Sequence, residues 1–145
     1  MFTNILLPTD GSELSLRAAD TGIALAARLG ARVHAFHVVP PFPSLNYLVD
    51  IIQANQEFYL AEAVARAEGY LKEVQQRASA AGVSCESSHE TDDQPYSAIV
   101  GAAAKYQCDL IVMASHGWRG LNRLLLGSET HKVLLHCDVP VLVCH

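Results

Sequence analysis

The run Leu110-Ile111-Val112-Met113, continued by Ala114-Ser115-His116-Gly117, a nine-residue spacer and Gly127-Ser128, constrains this chain most. Consecutive apolar residues without polar alternation read as a strand buried on both faces, which belongs in a parallel sheet covered by helices. Beyond the spacer, Ser128 precedes Glu129-Thr130-His131-Lys132-Val133-Leu134-Leu135, which predicts a helix from Glu129 to His136 with Ser128 as its cap. Strand, small-residue loop and helix start together make a phosphate cradle. Free N–H groups and the macrodipole favour an anion there by roughly 0.3–1 kcal/mol, and Gly127 keeps a Cβ out of the ligand's way. The plainer reading is a glycine that ends a turn and a serine that only caps. No Gly-Lys-Ser/Thr follows the spacer and no Gly-x-Gly-x-x-Gly follows the first strand, so neither the P-loop nor the dinucleotide fingerprint is present.

The same alternation fills the rest of the chain. Ile5-Leu6-Leu7 reads as a buried strand stopped by Pro8, and Thr9-Asp10-Gly11-Ser12 as turn and cap chemistry. Leu14, Ala18, Gly22, Leu25 and Leu29 form one helical stripe that Gly30 ends. Val33 to Val39 is the second strand, after which Pro40-Pro41-Phe42-Pro43 opens a long connection. A helix from about Leu45 to Ala80 carries Leu60, Val64, Ala67, Leu71, Val74 and Ala78 on one face, and Gly82 ends it. Val83 to His89 has the polar alternation of a strand near a sheet edge, and Asp92-Asp93-Gln94-Pro95 is a turn and cap leading into a helix with Tyr96, Ile99, Val100 and Ala103. Val139 to Val143 is the last strand. Residues 1–145 are therefore expected to form a single α/β domain: an open, parallel, five-stranded, Rossmann-like sheet with helices on both faces. Ligands of such sheets bind outside the carboxyl ends of the strands where strand order reverses, so the loops after strands one, two and four should converge on a site.

Composition narrows the partners. A formal net charge of −5 with scattered Lys and Arg offers no basic stripe for nucleic acid or for a membrane surface. Met1-Phe2-Thr3-Asn4 carries no positive charge, the apolar run behind it stops at Pro8, and no run approaches the ~20 residues of a membrane span. A cytoplasmic protein is expected. Cys85, Cys108, Cys137 and Cys144 lie far apart with no CxxC pair, as reduced structural cysteines do. His34 and His37 are three apart in a strand and so face opposite sides, unable to share a metal. No metal-ligand cluster, Ser/His/Asp arrangement or activated cysteine emerges.

Pro8-Thr9-Asp10, Val38-Val39 and the glycine segment, taken together, resemble the universal stress protein family. The likeness runs from Ile-Leu-Leu-Pro-Thr-Asp-Gly-Ser at Ile5 to Ser12, through Ala-Phe-His-Val at Ala35 to Val38, to Pro-Val-Leu-Val at Pro140 to Val143. Its most specific part is Met113 to Ser128. The ATP-binding branch of that family is marked by Gly, two residues, Gly, nine residues, Gly, then Ser or Thr. Here the second glycine is Gly117, the third Gly127 and the hydroxyl Ser128, while Ala114 stands in the first position. A methyl there is tolerated where φ is negative and costs about 1 kcal/mol or more where φ must be positive.

The resemblance implies ATP, with Mg²⁺ held mainly by the phosphates. Asp10 would hydrogen-bond the ribose or adenine side, and Val38 would read adenine through its backbone. Gly117, Gly127, Ser128 and the Glu129 N–H would hold the phosphates, with Pro8, Thr9, Met113, Ala114, Ser115, His116 and Thr130 completing the surroundings. The residues' own chemistry leaves alternatives open. Asp10 serves equally as a cap for the first helix with Glu13 three residues on, and His116 is either a phosphate donor or a loop histidine. Arg119 and Arg123 could neutralise phosphate. The Glu129 side chain is expected to point away, since inward it would repel a triphosphate. Three readings follow: a nucleotide-responsive cytoplasmic stress module signalling to an unidentified protein partner, a nucleotide-free interaction protein of the same fold, and a weak ATPase. A homodimer is expected through the terminal strand, Val139, Pro140, Val141, Leu142 and Val143, whose open edge invites a second copy.

Overall fold

The computed structural model of the chain describes residues 1–42, 49–118 and 126–145, with the backbone alone over 49–54. Its elements are β1 (Asn4–Pro8), α1 (Glu13–Leu29), β2 (Arg32–Val39), α2 (Val49–Ala80), β3 (Cys85–Thr91), α3 (Pro95–Lys105), β4 (Leu110–Ala114), α4 (Ser128–His136) and β5 (Val141–Cys144). The five strands are parallel in the order β3-β2-β1-β4-β5. The expected doubly covered sheet is what forms.

Each apolar run splits between two cores because successive side chains leave a strand on opposite faces. Ile5, Leu7, Val33, Ala35 and Val112 pack beneath Ile23 and Ala26 of α1 and Leu71, Val74 and Ala78 of α2. Leu6, Phe36, Ile111 and Met113 pack on the other face against Ala98, Ile99 and Ala102 of α3 and Val133 of α4. The two histidines of β2 separate in the same way: His34 stacks on Tyr106 beyond α3 at 4.0 Å, and His37 meets the ring edge of Tyr70 on α2 at 5.3 Å. Both faces of β1 and β4 are buried, and the one polar side chain in them, Asn4, donates from Nδ2 to the Tyr106 carbonyl at 2.8 Å.

Local chemistry sets the helix ends. Ser12, not Asp10, caps α1, its Oγ accepting from the Ser15 N–H at 3.2 Å. Asp10 closes the preceding turn, Oδ1 accepting from the Ser12 N–H at 3.0 Å. Gly30 ends α1 at φ 67, a left-handed conformation that glycine adopts without steric cost. At α4 the cap is Gly127, one residue earlier than the expected Ser128: Gly127 is extended and its carbonyl accepts from the His131 N–H at 2.9 Å, which makes Ser128 the first helical residue. The α3 cap is not supplied by Asp92-Asp93, since Asp92 only closes the turn onto the Gln94 N–H at 2.9 Å.

Strand boundaries also differ from expectation: β1 takes in Asn4 and Pro8, β2 begins at Arg32, β3 runs on to Thr91 and β5 to Cys144. The Val83 N–H is still bonded to the Ala78 carbonyl at 2.9 Å as the chain leaves α2, so β3 starts at Cys85. β5 is Val141–Cys144, which leaves Val139 and Pro140 before the strand, although the Pro140 carbonyl already accepts from the Ile111 N–H at 3.0 Å. The residue exposed on β5 is Leu142 at 40%, while Val141 packs into the α3/α4 core. All four cysteines are free thiols. Burial pushes Cys108 up to about 11, keeping it protonated. No described helix is long and apolar enough to cross a membrane.

Candidate functional site

The strand order reverses between β1 and β4, and a cleft opens there at the carboxyl ends of β1, β2 and β4. Its inner part, a pocket of about 240 Å³, is mostly apolar: Pro8, Phe36, Val38, Ile99, Met113 and Ala114 form the walls, with Thr9, Asp10, His116, Gly117, Glu129 and Thr130 around them. An outer cavity of about 700 Å³ continues from it, sharing Asp10, Val38, His116 and Gly117 and adding Gly127 and Ser128. Of the described residues that the resemblance assigns to the nucleotide, only Ser115 lines neither cavity. It is buried and borders a separate cavity beside α1, its Oγ 2.9 Å from His116 Nδ1. Arg119 and Arg123 lie outside the described residues.

Two backbone arrangements matter more than any side chain. The Thr9 N–H reaches the Phe36 carbonyl at 2.8 Å, and β1 ends at Pro8. In a parallel ladder the N–H and C=O of one residue point to the same side and those of the next residue to the other. Val38 therefore aims its N–H and C=O the way Phe36 does, toward β1, at a level where β1 has finished. Val39 points the opposite way and accepts from the Asp92 N–H at 3.1 Å. Val38 thus presents a donor beside an acceptor to the cleft.

The second arrangement is the start of α4. The Gly127 N–H donates to the Ser115 carbonyl at 2.8 Å, and Thr130 Oγ1 donates to the carbonyls of Ala114 at 2.9 Å and Ser115 at 3.3 Å. These bonds pin the first turn of α4 to the end of β4. The first intrahelical N–H is that of His131, so those of Ser128, Glu129 and Thr130 have no helical acceptor and stand at the outer cavity. Gly127 is required for a reason other than ligand clearance: a Cβ there would stand 2.6 Å from the Ser115 carbonyl oxygen. A Cβ on Gly117 would run into the Asp10 carboxylate. Ala114 lies within β4, and among the described residues Gln107 is the sole non-glycine at positive φ, so the methyl of Ala114 causes no backbone strain.

Sequence reasoning missed several participants. His37 lines both cavities and donates from Nδ1 to the Thr9 carbonyl at 2.7 Å, since a carbonyl can only accept. Burial lowers its pKa below 6.5, against smaller upward pulls from that hydrogen bond and from Asp10. Pro95 and Ile99 bring the start of α3 to the inner pocket. Glu129 Oε2 accepts from the Tyr96 N–H at 2.9 Å, supplying from α4 the cap that α3 lacks. The carboxylate thus turns toward α3, where an N-terminus offsets its charge. Arg66 and Tyr70 of α2 border the outer cavity, as does Trp118, whose Nε1 donates to the Asp10 carbonyl at 2.6 Å. His37 had a readable signal in its place beside Val38 at a strand end. The others are set by tertiary contacts that no local pattern encodes.

Comparison with known proteins places this geometry in context. The pattern of the Universal stress protein family matches residues 1–145. Universal stress protein MJ0531 of Methanocaldococcus jannaschii is 35% identical over 145 residues, covering 99% of this chain and 82% of the relative. Among solved structures, that of the hypothetical protein MJ0577 superposes with a TM-score of 0.83 at 24% identity, covering 99% of this chain and 96% of its own. A universal stress protein solved in complex with cAMP superposes with a TM-score of 0.73 at 27% identity, covering 99% and 97%.

Proposed function

The chain belongs to the universal stress protein family, and we propose that its cleft is an adenine-nucleotide site serving a cytoplasmic, homodimeric signalling module. The observation that carries this reading is the Val38 backbone, whose N–H and C=O face the cleft past the end of β1. Adenine offers an acceptor ring nitrogen beside a donor amino group, the complement of that pair. Guanine offers the reverse and would set like against like, leaving buried polar groups unmatched. The cAMP-bound relative supports an adenine ligand in this fold.

Asp10 lies beside Gly117, where a carboxylate would accept from ribose hydroxyls. Gly117 and the free N–H groups of Ser128, Glu129 and Thr130 would take the phosphates. ATP is the intended ligand, with Mg²⁺ entering as a phosphate-bound ion. The homodimer forms through the free edge of β5, and nucleotide occupancy is the signal that it passes to a protein partner. Nucleotide analysis of freshly purified, heat-denatured protein tests the reading: a ligand of micromolar affinity, about 8 kcal/mol, should be recovered as an adenine nucleotide. Protein that carries none and takes none up from Mg·ATP would leave the cleft without this role.

A further inference from the structure

Trp118 is the sole tryptophan of the chain, and 66% of it is exposed, so packing does little to hold it. Its place is set by the Nε1–H, which donates to the Asp10 carbonyl at 2.6 Å across the mouth of the cleft. That bond ties the β4–α4 loop to the β1–α1 loop. The indole also stands between two spaces, the outer cavity of about 700 Å³ and a cavity of about 510 Å³ beside α1 that reaches Arg17 and His145. Asp10 is held from three sides. His37 fixes the Thr9 carbonyl before it, the Ser12 N–H fixes Oδ1, and the indole fixes its own carbonyl, leaving Oδ2 against Gly117.

We propose that Trp118 is a positioning residue for the ribose end of the ligand: its indole N–H clamps the Asp10 loop so that the carboxylate is preset for the sugar hydroxyls. The inference rests on the nucleotide reading of the cleft. Trp118 touches neither base nor phosphate in this account and acts only through Asp10. Its removal therefore matters for a ligand only while Asp10 is there to be positioned.

A double-mutant cycle read by NMR titration with AMP tests this. Trp118→Phe keeps an aromatic ring and deletes the donor at an exposed position, so the fold is retained. AMP affinity should fall roughly three- to tenfold in the parent background and stay within about twofold in Asp10→Ala. In the ligand-free, ¹⁵N-labelled parent, the single indole N–H should exchange with water at least tenfold more slowly than in the urea-unfolded chain. Equal losses in both backgrounds, no loss in either, or an unprotected indole proton would overturn the clamp. A parent that gives no response to AMP would instead overturn the nucleotide reading and, with it, the ribose role.

Discussion

At the scale of single residues, Gly117 and Ala114 divide the requirements of the β4–α4 loop. A Cβ on Gly117 would collide with the Asp10 carboxylate, so Gly117→Ala must push that carboxylate out of place. The expected result is at least tenfold weaker nucleotide binding, about 1.4 kcal/mol, with thermal stability nearly unchanged; calorimetry and a melting curve check both halves. Ala114 lies in a buried strand at ordinary φ, and replacing it by glycine deletes one methyl from the pocket wall and adds conformational entropy to the unfolded chain. Ala114→Gly should lower stability by roughly 0.5–1 kcal/mol and leave affinity as it was. A large gain in affinity would show that the methyl obstructs the cleft. Gly127 differs from both, because its missing Cβ spares the chain's own Ser115 carbonyl. Gly127→Val should therefore loosen the α4 start and lose stability together with binding.

At the scale of elements, the start of α4 is where separate parts of the site are joined. Glu129 caps α3 from α4 and so links the wall that carries Pro95 and Ile99 to the turn proposed to hold phosphates. Glu129→Ala should cost about 1 kcal/mol of stability by urea unfolding, a value reduced by the partial exposure of the side chain. Glu129→Gln retains an acceptor and should recover most of the loss; equal losses in the two variants would mean that the cap contributes nothing. The strand-helix alternation and the loops at the site were legible in the chain, because uninterrupted apolar runs such as Leu110 to Met113 and glycine stops such as Gly30 are local signals. The α1 stripe was only half right: Ala18 and Gly22 are buried, while Ala19, Ile23 and Ala26 complete the buried face and Leu29 is 40% exposed. The cap at Gly127 was missed because serine is the commoner cap, and nothing local reveals that Ser115 would draw the Gly127 N–H toward β4. The Glu129–Tyr96 and Trp118–Asp10 bonds join residues 33 and 108 positions apart, beyond any periodicity.

At the scale of the whole molecule, β5 forms one edge of the sheet. The Pro140 and Cys144 carbonyls bond to β4, so Val141 and Val143, of the opposite parity, turn their backbone groups outward. Val141→Pro removes one outward donor without touching the ladder to β4. Light scattering should give twice the chain mass for the parent and a lower mass for the variant, whereas a monomeric parent at micromolar concentration would refute the dimer. Stability should also respond to pH through His34, whose pKa is lowered chiefly by burial. Below its ordinary 6.5 the unfolded chain binds a proton that the native state refuses, so stability is lost as pH falls from 6.5 toward the lower native value. The part carried by His34 is at most about 1.4 kcal/mol per pH unit, and His34→Gln should lessen the slope in urea titrations without abolishing it, because burial also lowers the pKa of His37; an unchanged slope would assign the effect elsewhere. The central claim concerns the cleft at the carboxyl ends of β1, β2 and β4, and calorimetric competition between Mg·ATP and Mg·GTP tests it most directly. Binding of ATP at one site per chain, with GTP at least tenfold weaker, is the result expected from the Val38 backbone pair. Equal affinities for the two nucleotides, or no heat from either, would contradict it.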